Sequence, residues 1–301
     1  MKNATLSTTL SFALLLALVA PAYAATPINE TRPLSPTGRV DIENVKGRIQ
    51  VRAWQRDEVK IEGSLGAGVE KLVVEGDREH LTVKVRYPKD GWGRGKSEPS
   101  ELLLTVPLKA DLDIDSVSAN VDVQGVAPSS LSIDSVSGDV LVAAAPGEFS
   151  ADSVSGNLNV TVNSADVNID SVSGDITLRG RLNGAINAET VSGDIDVVVN
   201  GERIREVSAN TVSGDAKLRT ALAVNGEIRF ESVSGNLVLI LPKDLSARVS
   251  AETFSGNLRA PGAEVKRPKY GPGANLDVRY GSGDGEISIE TFSGDAELRL
   301  E

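Results

Sequence analysis

One five-residue phrase recurs through most of the chain and narrows what it can fold into. It reads Ser135-Val136-Ser137-Gly138-Asp139, and near copies begin at Ser153, Ser171, Thr190, Thr211, Ser232, Thr253 and Thr291. A looser first copy is Ser116-Val117-Ser118-Ala119-Asn120. From Ser116 onward the steps are 19, 18, 18, 19, 21, 21, 21 and 38 residues. A repeat near twenty residues is the mark of a solenoid, in which each unit is one winding and stacking supplies the core. The 38-residue step reads as two windings. Ordering about 20 residues costs more backbone entropy than the roughly six apolar side chains of one winding recover, so no winding folds alone.

The flanks of the phrase show how each winding is built. Apolar residues lie two and four positions before it, as in Leu131 and Ile133 or Val167 and Ile169. Alternation resumes behind it, as in Val140 and Val142 or Ile176 and Leu178. Period-two alternation is the signature of half-buried strands. Each unit therefore reads as strand, bend, tight turn, second strand and return. The Val or Phe of the phrase is out of phase with the first strand, so pointing it inward requires a bend at Asp134-Ser135. On that reading Val136, Val154 and Val172 stand in single file inside. The expected fold is all-β, a right-handed parallel β-solenoid, the hand being that of nearly all strand–crossover–strand connections. At the turn, Gly is expected mainly for space, and Asp or Asn to take the left-handed backbone region.

The segments divide as follows. Residues 1–24 read as a signal peptide: Lys2, the apolar run Leu10 to Ala20, and Ala22-Tyr23-Ala24 before the expected cut after Ala24. No Cys follows for lipid attachment, and no later apolar run is long enough to span a bilayer. Export to the periplasm or the extracellular space is expected. Residues 25–37 read as a polar leader on the surface. Residues 38–109 form less regular β-coils or strands, with a loop at 87–100. Residues 110–301 are the regular array, with a loop at 261–275.

Composition removes several function classes. The chain has no Cys and one His, so thiol, zinc and most imidazole chemistry lose their ligands. A net charge of −11 suits neither nucleic acid nor an anionic membrane surface. No cofactor is expected.

Stacking predicts two acidic columns. The first is Asp115, Asp134, Asp152, Asp170, Glu189, Asn210, Glu231, Glu252 and Glu290. The second, in the turn, is Asn120, Asp139, Asn157, Asp175, Asp194, Asp215, Asn236, Asn257 and Asp295. Carboxylates about 4.8 Å apart repel unless something offsets them. Alternating Asn, turn amides, hydroxyls and Arg179, Arg219 and Arg299 are the local candidates. A file of calcium ions is the alternative, without the glycine-rich nonapeptide of calcium-binding rolls. Polysaccharide-processing enzymes also use β-helices, but they need a singular pair of acids, and here the acids are repeated. His80 reads as solvated, and Trp54 as packing on or capping the core. Partner contacts are expected in two loops: Tyr87, Trp92, Arg94 and Lys96, and Lys266, Arg267, Lys269 and Tyr270. The stretch Leu298 to Glu301 reads as an uncapped coil end. It predicts either end-to-end pairing of two copies or discouragement by Glu297, Arg299 and Glu301.

The repeated turns resemble those of a bacterial family of exported β-solenoids labelled "putative adhesin" and a domain of unknown function. The Asn44 to Val51 coil, Trp54, the Val59 to Gly63 strand and Leu102 to Pro107 match its usual opening. The resemblance spans about residues 38–301. It implies the solenoid fold and a non-enzymatic envelope role as an adhesin or scaffold that shows repeated polar rows to a protein or polymer. It carries no catalytic residues.

Overall fold

The computed structural model describes residues 25–88 and 97–301. The expected signal peptide, Trp92, Arg94 and Lys96 lie outside the described residues. All regular structure described is strand. The N-terminal part contains β1 (Thr26–Pro33), β2 (Arg39–Trp54), β3 (Glu58–Leu65), β4 (Lys71–Gly76), β5 (His80–Arg86) and β6 (Ser100–Pro107). The array follows with β7 (Asp111–Gln124), β8 (Ser130–Ser135), β9 (Val140–Ala144), β10 (Glu148–Ser153), β11 (Leu158–Ser171), β12 (Ile176–Thr190), β13 (Ile195–Ser213) and β14 (Ala216–Ser234). It ends with β15 (Leu237–Leu241), β16 (Ala247–Ser255), β17 (Leu258–Arg259), β18 (Ala274–Tyr280), β19 (Gly285–Ser293) and β20 (Ala296–Leu300).

These strands build a parallel β-solenoid with two sheet faces. One face carries the strand that enters each turn: β5, the start of β2, the start of β7, β8, β10 and the ends of β11 to β14. The other carries the strand that leaves it: β6, the ends of β2 and β7, β9 and the starts of β11 to β14. Coils of 21 residues absorb their extra length on the return, where the β12–β13 register shifts between Gly180 and Ala185. The turn columns therefore stay aligned.

Each letter of the phrase has a physical role. Burial alternates straight through Leu131, Ile133 and Ser135, so the first Ser points in and is 4% exposed. Its hydroxyl donates to the Gly138 carbonyl (3.0 Å) and accepts from the Gly138 amide (3.3 Å), which satisfies a buried polar group locally. Ser153 and Ser171 repeat this. The second Ser, Ser137, donates to the carbonyl of Val117 one coil below (3.0 Å). A Cβ on Gly138 would stand 2.0 Å from the Ala119 carbonyl oxygen, so Gly is there for space, as expected. Ala119 pairs in register with Gly47, whose φ of +113° sets it apart from the turn glycines of the later coils.

Two expectations about the turn are corrected. Val136, Val154 and Val172 do stand in file, but on the outside, at 45%, 47% and 48% exposure. No bend resets the phase; the hydroxyl, not the valine, takes the interior place. Asp139, Asn157 and Asp175 do not adopt positive φ, which among described non-glycine residues occurs only at Asn225. Their side chains serve as acceptors instead: Asp139 Oδ1 accepts from the Asn157 amide (3.1 Å), and Asn157 Oδ1 from the Asp175 amide (3.1 Å).

The stacking order departs from chain order at both ends: β2 lies between β7 and the later β5 and β6, and near the C-terminus a late coil is interposed in the same way. β19 pairs with β14 on one side and β16 on the other, and β20 lies between β15 and β17. The coil Gly285–Glu301 thus sits inside the stack, and the coil Ala247–Arg259 lies outside it. Thr253 to Thr291 is not two successive windings. The segment between them runs as a loop and then as β18, antiparallel along β16. β17 covers only Ala296 and Glu297, so Leu298 to Leu300 pairs with Leu239 to Leu241 on one side, and its outer edge carries no strand among the described residues. The other outer edges are covered by antiparallel β4, by β3 with β1, and by β18, or shortened to the two residues of β17, which blunts edge pairing. The expected leader is not free on the surface either: Thr26–Pro33 pairs along Glu58–Leu65.

Candidate functional site

Where each chain turns outward from the entering strand, the stacked coils leave a furrow along the solenoid. One wall is the first acidic column, the floor is the buried Ser or Thr of the phrase, and the other wall is the exposed Val or Phe. Two hollows of about 1360 and 1110 Å³ make it up, and they share Asp170 and Ser171. Tyr87 and Pro88 border the first; Lys266, Arg267 and Pro268 border the second.

The apolar wall follows directly from the straight phase of the strands. Val45, Val117, Val136, Val154, Val172, Val191, Val212 and Val233 are 40–50% exposed, and Phe292 and Phe254 continue the file. The two Phe rings stack at 4.7 Å and 5°, in the order set by the interposed coil. A continuous apolar file of this length on a surface calls for an explanation beyond packing. Serine substitution at Val154 and Val172 together is expected to change stability by no more than about 1 kcal/mol, the sum for two surface positions. Denaturant unfolding checks this; a loss of several kcal/mol would return the valines to the core.

The acidic wall is electrostatically loaded. Burial, and then Asp152 and Asp115, push the Asp134 carboxyl above the usual value of 3.8. Burial, Asp113 and Glu43 do the same to Asp115. Carboxylate oxygens of Asp113, Asp115 and Asp134 lie within 4.8 Å of one another. A raised folded pKa means that the ionised form is disfavoured in the fold, so stability rises as pH falls through that pKa towards 3.8. Asp122 and Asp41 work in the opposite direction. Burial opposes their ionisation, but Arg52 and Gln124, and Arg39 and His80 respectively, hold both carboxyls below 3.8. Their contribution is lost only as pH falls below 3.8. Stability should therefore peak on the mildly acidic side of neutral. Asp134→Asn should raise the melting temperature at pH 7 and flatten the gain on acidification. An unchanged profile in that variant would contradict this.

The turn column is neutralised by the backbone rather than by arginine. Asp175, Asp194 and Asp215 accept the amides of Asp194, Asp215 and Asn236 (3.0, 2.8 and 2.8 Å). Beyond the interposed coil, Asn236 accepts from Asp295, and Asp295 from Asn257. Such charge-assisted bonds explain how carboxylates tolerate this spacing. The arginines go elsewhere: Arg179 to Asp196 (3.6 Å), Arg219 to Glu301, and Arg299 to Glu297 (2.7 Å).

The other expected residues separate. Tyr87 is half-buried, and its hydroxyl donates to Asn44 Oδ1 (3.1 Å), so it braces the furrow's end. Arg267 reaches Asn257 Oδ1 (3.1 Å), and Lys269 lies 5.5 Å from the ring centre of the exposed Tyr270. Tyr87 borders the first hollow, and Lys266 and Arg267 border the second. His80 is not merely solvated: its Nε2 lies 2.6 Å from Asp41 Oδ2. Trp54 donates to the Glu58 carbonyl (2.7 Å) under Arg56.

A family model described as Toastrack DUF4097 matches residues 38–223 and 199–299. No curated protein matches the chain. Among solved structures, a "putative lipid binding protein" of Parabacteroides distasonis is similar over 91% of this chain and 96% of its own, with 13% identity and a TM-score of 0.56. A "putative adhesin" of the same species covers 92% and 98%, with 12% identity and a TM-score of 0.54. Another from Parabacteroides merdae covers 91% and 96%, with 11% identity and a TM-score of 0.50. At such identities the likeness concerns the fold.

Proposed function

Since the chain belongs to the Toastrack DUF4097 family, we propose that it is a non-enzymatic, exported protein of the cell envelope, an adhesin or scaffold that holds its partner along the furrow. One observation carries the reading: an apolar file from Val45 to Phe254 runs beside an acidic file for the length of the stack. A surface repeated coil after coil suits an elongated partner better than a small substrate. The acids are members of columns, and a catalytic pair would be singular. Relatives in the fold described as adhesins support the same reading, as does the secretory character of residues 1–24.

The test is site-specific photo-crosslinking in the producing cell. A photoreactive residue at Val172 should give discrete adducts, while one at Val224, exposed away from the furrow, should not. Equal labelling at both would remove the furrow as the working surface. New reducing ends or unsaturated products on incubation with envelope glycans would remove the non-enzymatic reading.

A further inference from the structure

Both walls of the furrow have the same period, and that period bears on what can lie in it. Successive coils are about 4.8 Å apart. An α-helix advances about 5.4 Å per turn and carries side-chain stripes along its axis, so it falls out of step with the coils by only about 2.4 Å over four turns. An extended strand shows a given face every 6.8 Å or so and drifts faster. Strand addition is also blocked. The turn amides beneath the furrow are spent on the neighbouring coil: Val136 donates to the Ser116 carbonyl and Ser137 to that of Val117, and the pattern repeats at Val154 and Ser155. Along the first hollow the floor hydroxyls of Ser135, Ser153 and Ser171 are closed onto the Gly backbone in the same way, while those of Thr190, Thr211, Ser232 and Thr291 are buried without a hydrogen-bond partner.

Charge selects among helices. The wall facing the valines carries Asp115, Asp134, Asp152, Asp170, Glu189 and Glu231, and burial and mutual repulsion disfavour ionisation at Asp115 and Asp134. A cationic stripe would relieve that repulsion; an anionic lipid headgroup or a phosphate would add to it. We propose that the furrow binds a cationic amphipathic helix of a partner protein, with its apolar stripe on the Val file and its Lys or Arg stripe on the Asp/Glu file. This deepens the adhesin or scaffold reading and rests on the furrow being the working surface. The recognition mode is a helix laid in a groove, with anchors at three- and four-residue spacing.

The probe is a labelled peptide of about 18 residues, five turns, made of Leu and Lys in helical order. Two controls are the same residues in strict alternation and a Leu/Glu peptide in helical order. The full chain without residues 1–24 is titrated, and peptide helicity is followed by circular dichroism. Saturable binding is expected, with a gain of helix, weakening by salt, and no binding of the Leu/Glu peptide. Val154→Ser with Val172→Ser, and separately Asp152→Asn with Asp170→Asn, should each weaken binding by about tenfold or more, which is about 1.4 kcal/mol. Their melting curves report whether the fold is kept; if a pair unfolds, the single variants replace it. No binding at about 1 mM, equal binding of the alternating peptide, or variants within about twofold of the parent would each overturn the proposal. Phosphatidylcholine vesicles provide the separating arm. If the helical peptide does not bind but vesicles do, and Val154→Ser with Val172→Ser abolishes that, the furrow stands as the working surface and the helix is wrong.

Discussion

A Val233→Cys/Phe292→Cys variant is expected to close a disulfide in high yield, while Val233→Cys/Phe254→Cys is expected to close none. The chain has no native cysteine, so the background is clean. β14 and β19 pair Ser232 with Thr291 and Ser234 with Ser293, which sets positions 233 and 292 side by side on the exposed wall. One coil spacing, about 4.8 Å, falls within the usual Cα separation of a disulfide, and two spacings fall outside it. Closing a loop of this size should stabilise the fold by about 4 kcal/mol, and strain would reduce that. Non-reducing electrophoresis and a melt with and without reductant give the answer. A bond between 233 and 254 would mean that the coils stack in chain order and that Gly285–Glu301 is not interposed.

The second large effect is expected at Gly174. A Cβ there would stand 2.0 Å from the carbonyl oxygen of Gly156. That oxygen belongs to backbone held between coils, so nothing flexible can yield. Overpacking of this kind costs about 3 kcal/mol or more. Because each coil leans only on its neighbours, Gly174→Ala should also divide the melt into two transitions near the middle of the stack. Gly201→Ala is the comparison. Gly201 has φ +70° and open space around it, so only backbone strain of about 1 kcal/mol is expected. A neutral Gly174→Ala would show that the turns are looser than the Gly column implies.

The phrase is informative because almost every letter answers to a neighbour one coil away. Period-two alternation was legible at Leu131 and Ile133. Carried one step further without a bend, it already places Ser135 inside and Val136 outside. The expectation of buried valines came from hydrophobicity alone and overlooked that Ser135 can satisfy its hydroxyl on Gly138 within its own turn. The furrow is hidden in the sequence for the same reason: hydrophobicity alone assigns its apolar wall to the core. The Asp/Asn column was visible, but its role was not. A turn residue with a short acceptor can take up left-handed φ or bond the next coil, and only the stacked neighbour decides between them.

Some properties follow from the order of residues by themselves. A twenty-residue period with alternating flanks admits a stack of two-stranded coils and little else, since each coil is too small to hold its own core. The crowding that demands glycine at the turn is equally local to the repeat. The order of the coils is different in kind. The Ala247 and Gly285 coils carry nearly the same phrase and offer β14 nearly the same edge, so no local rule ranks them. The outcome is settled where β18 folds back along β16 and occupies the face another coil would need. That choice between equivalent neighbours, and the furrow produced by lining up ten exposed side chains, exist only once the whole chain has stacked.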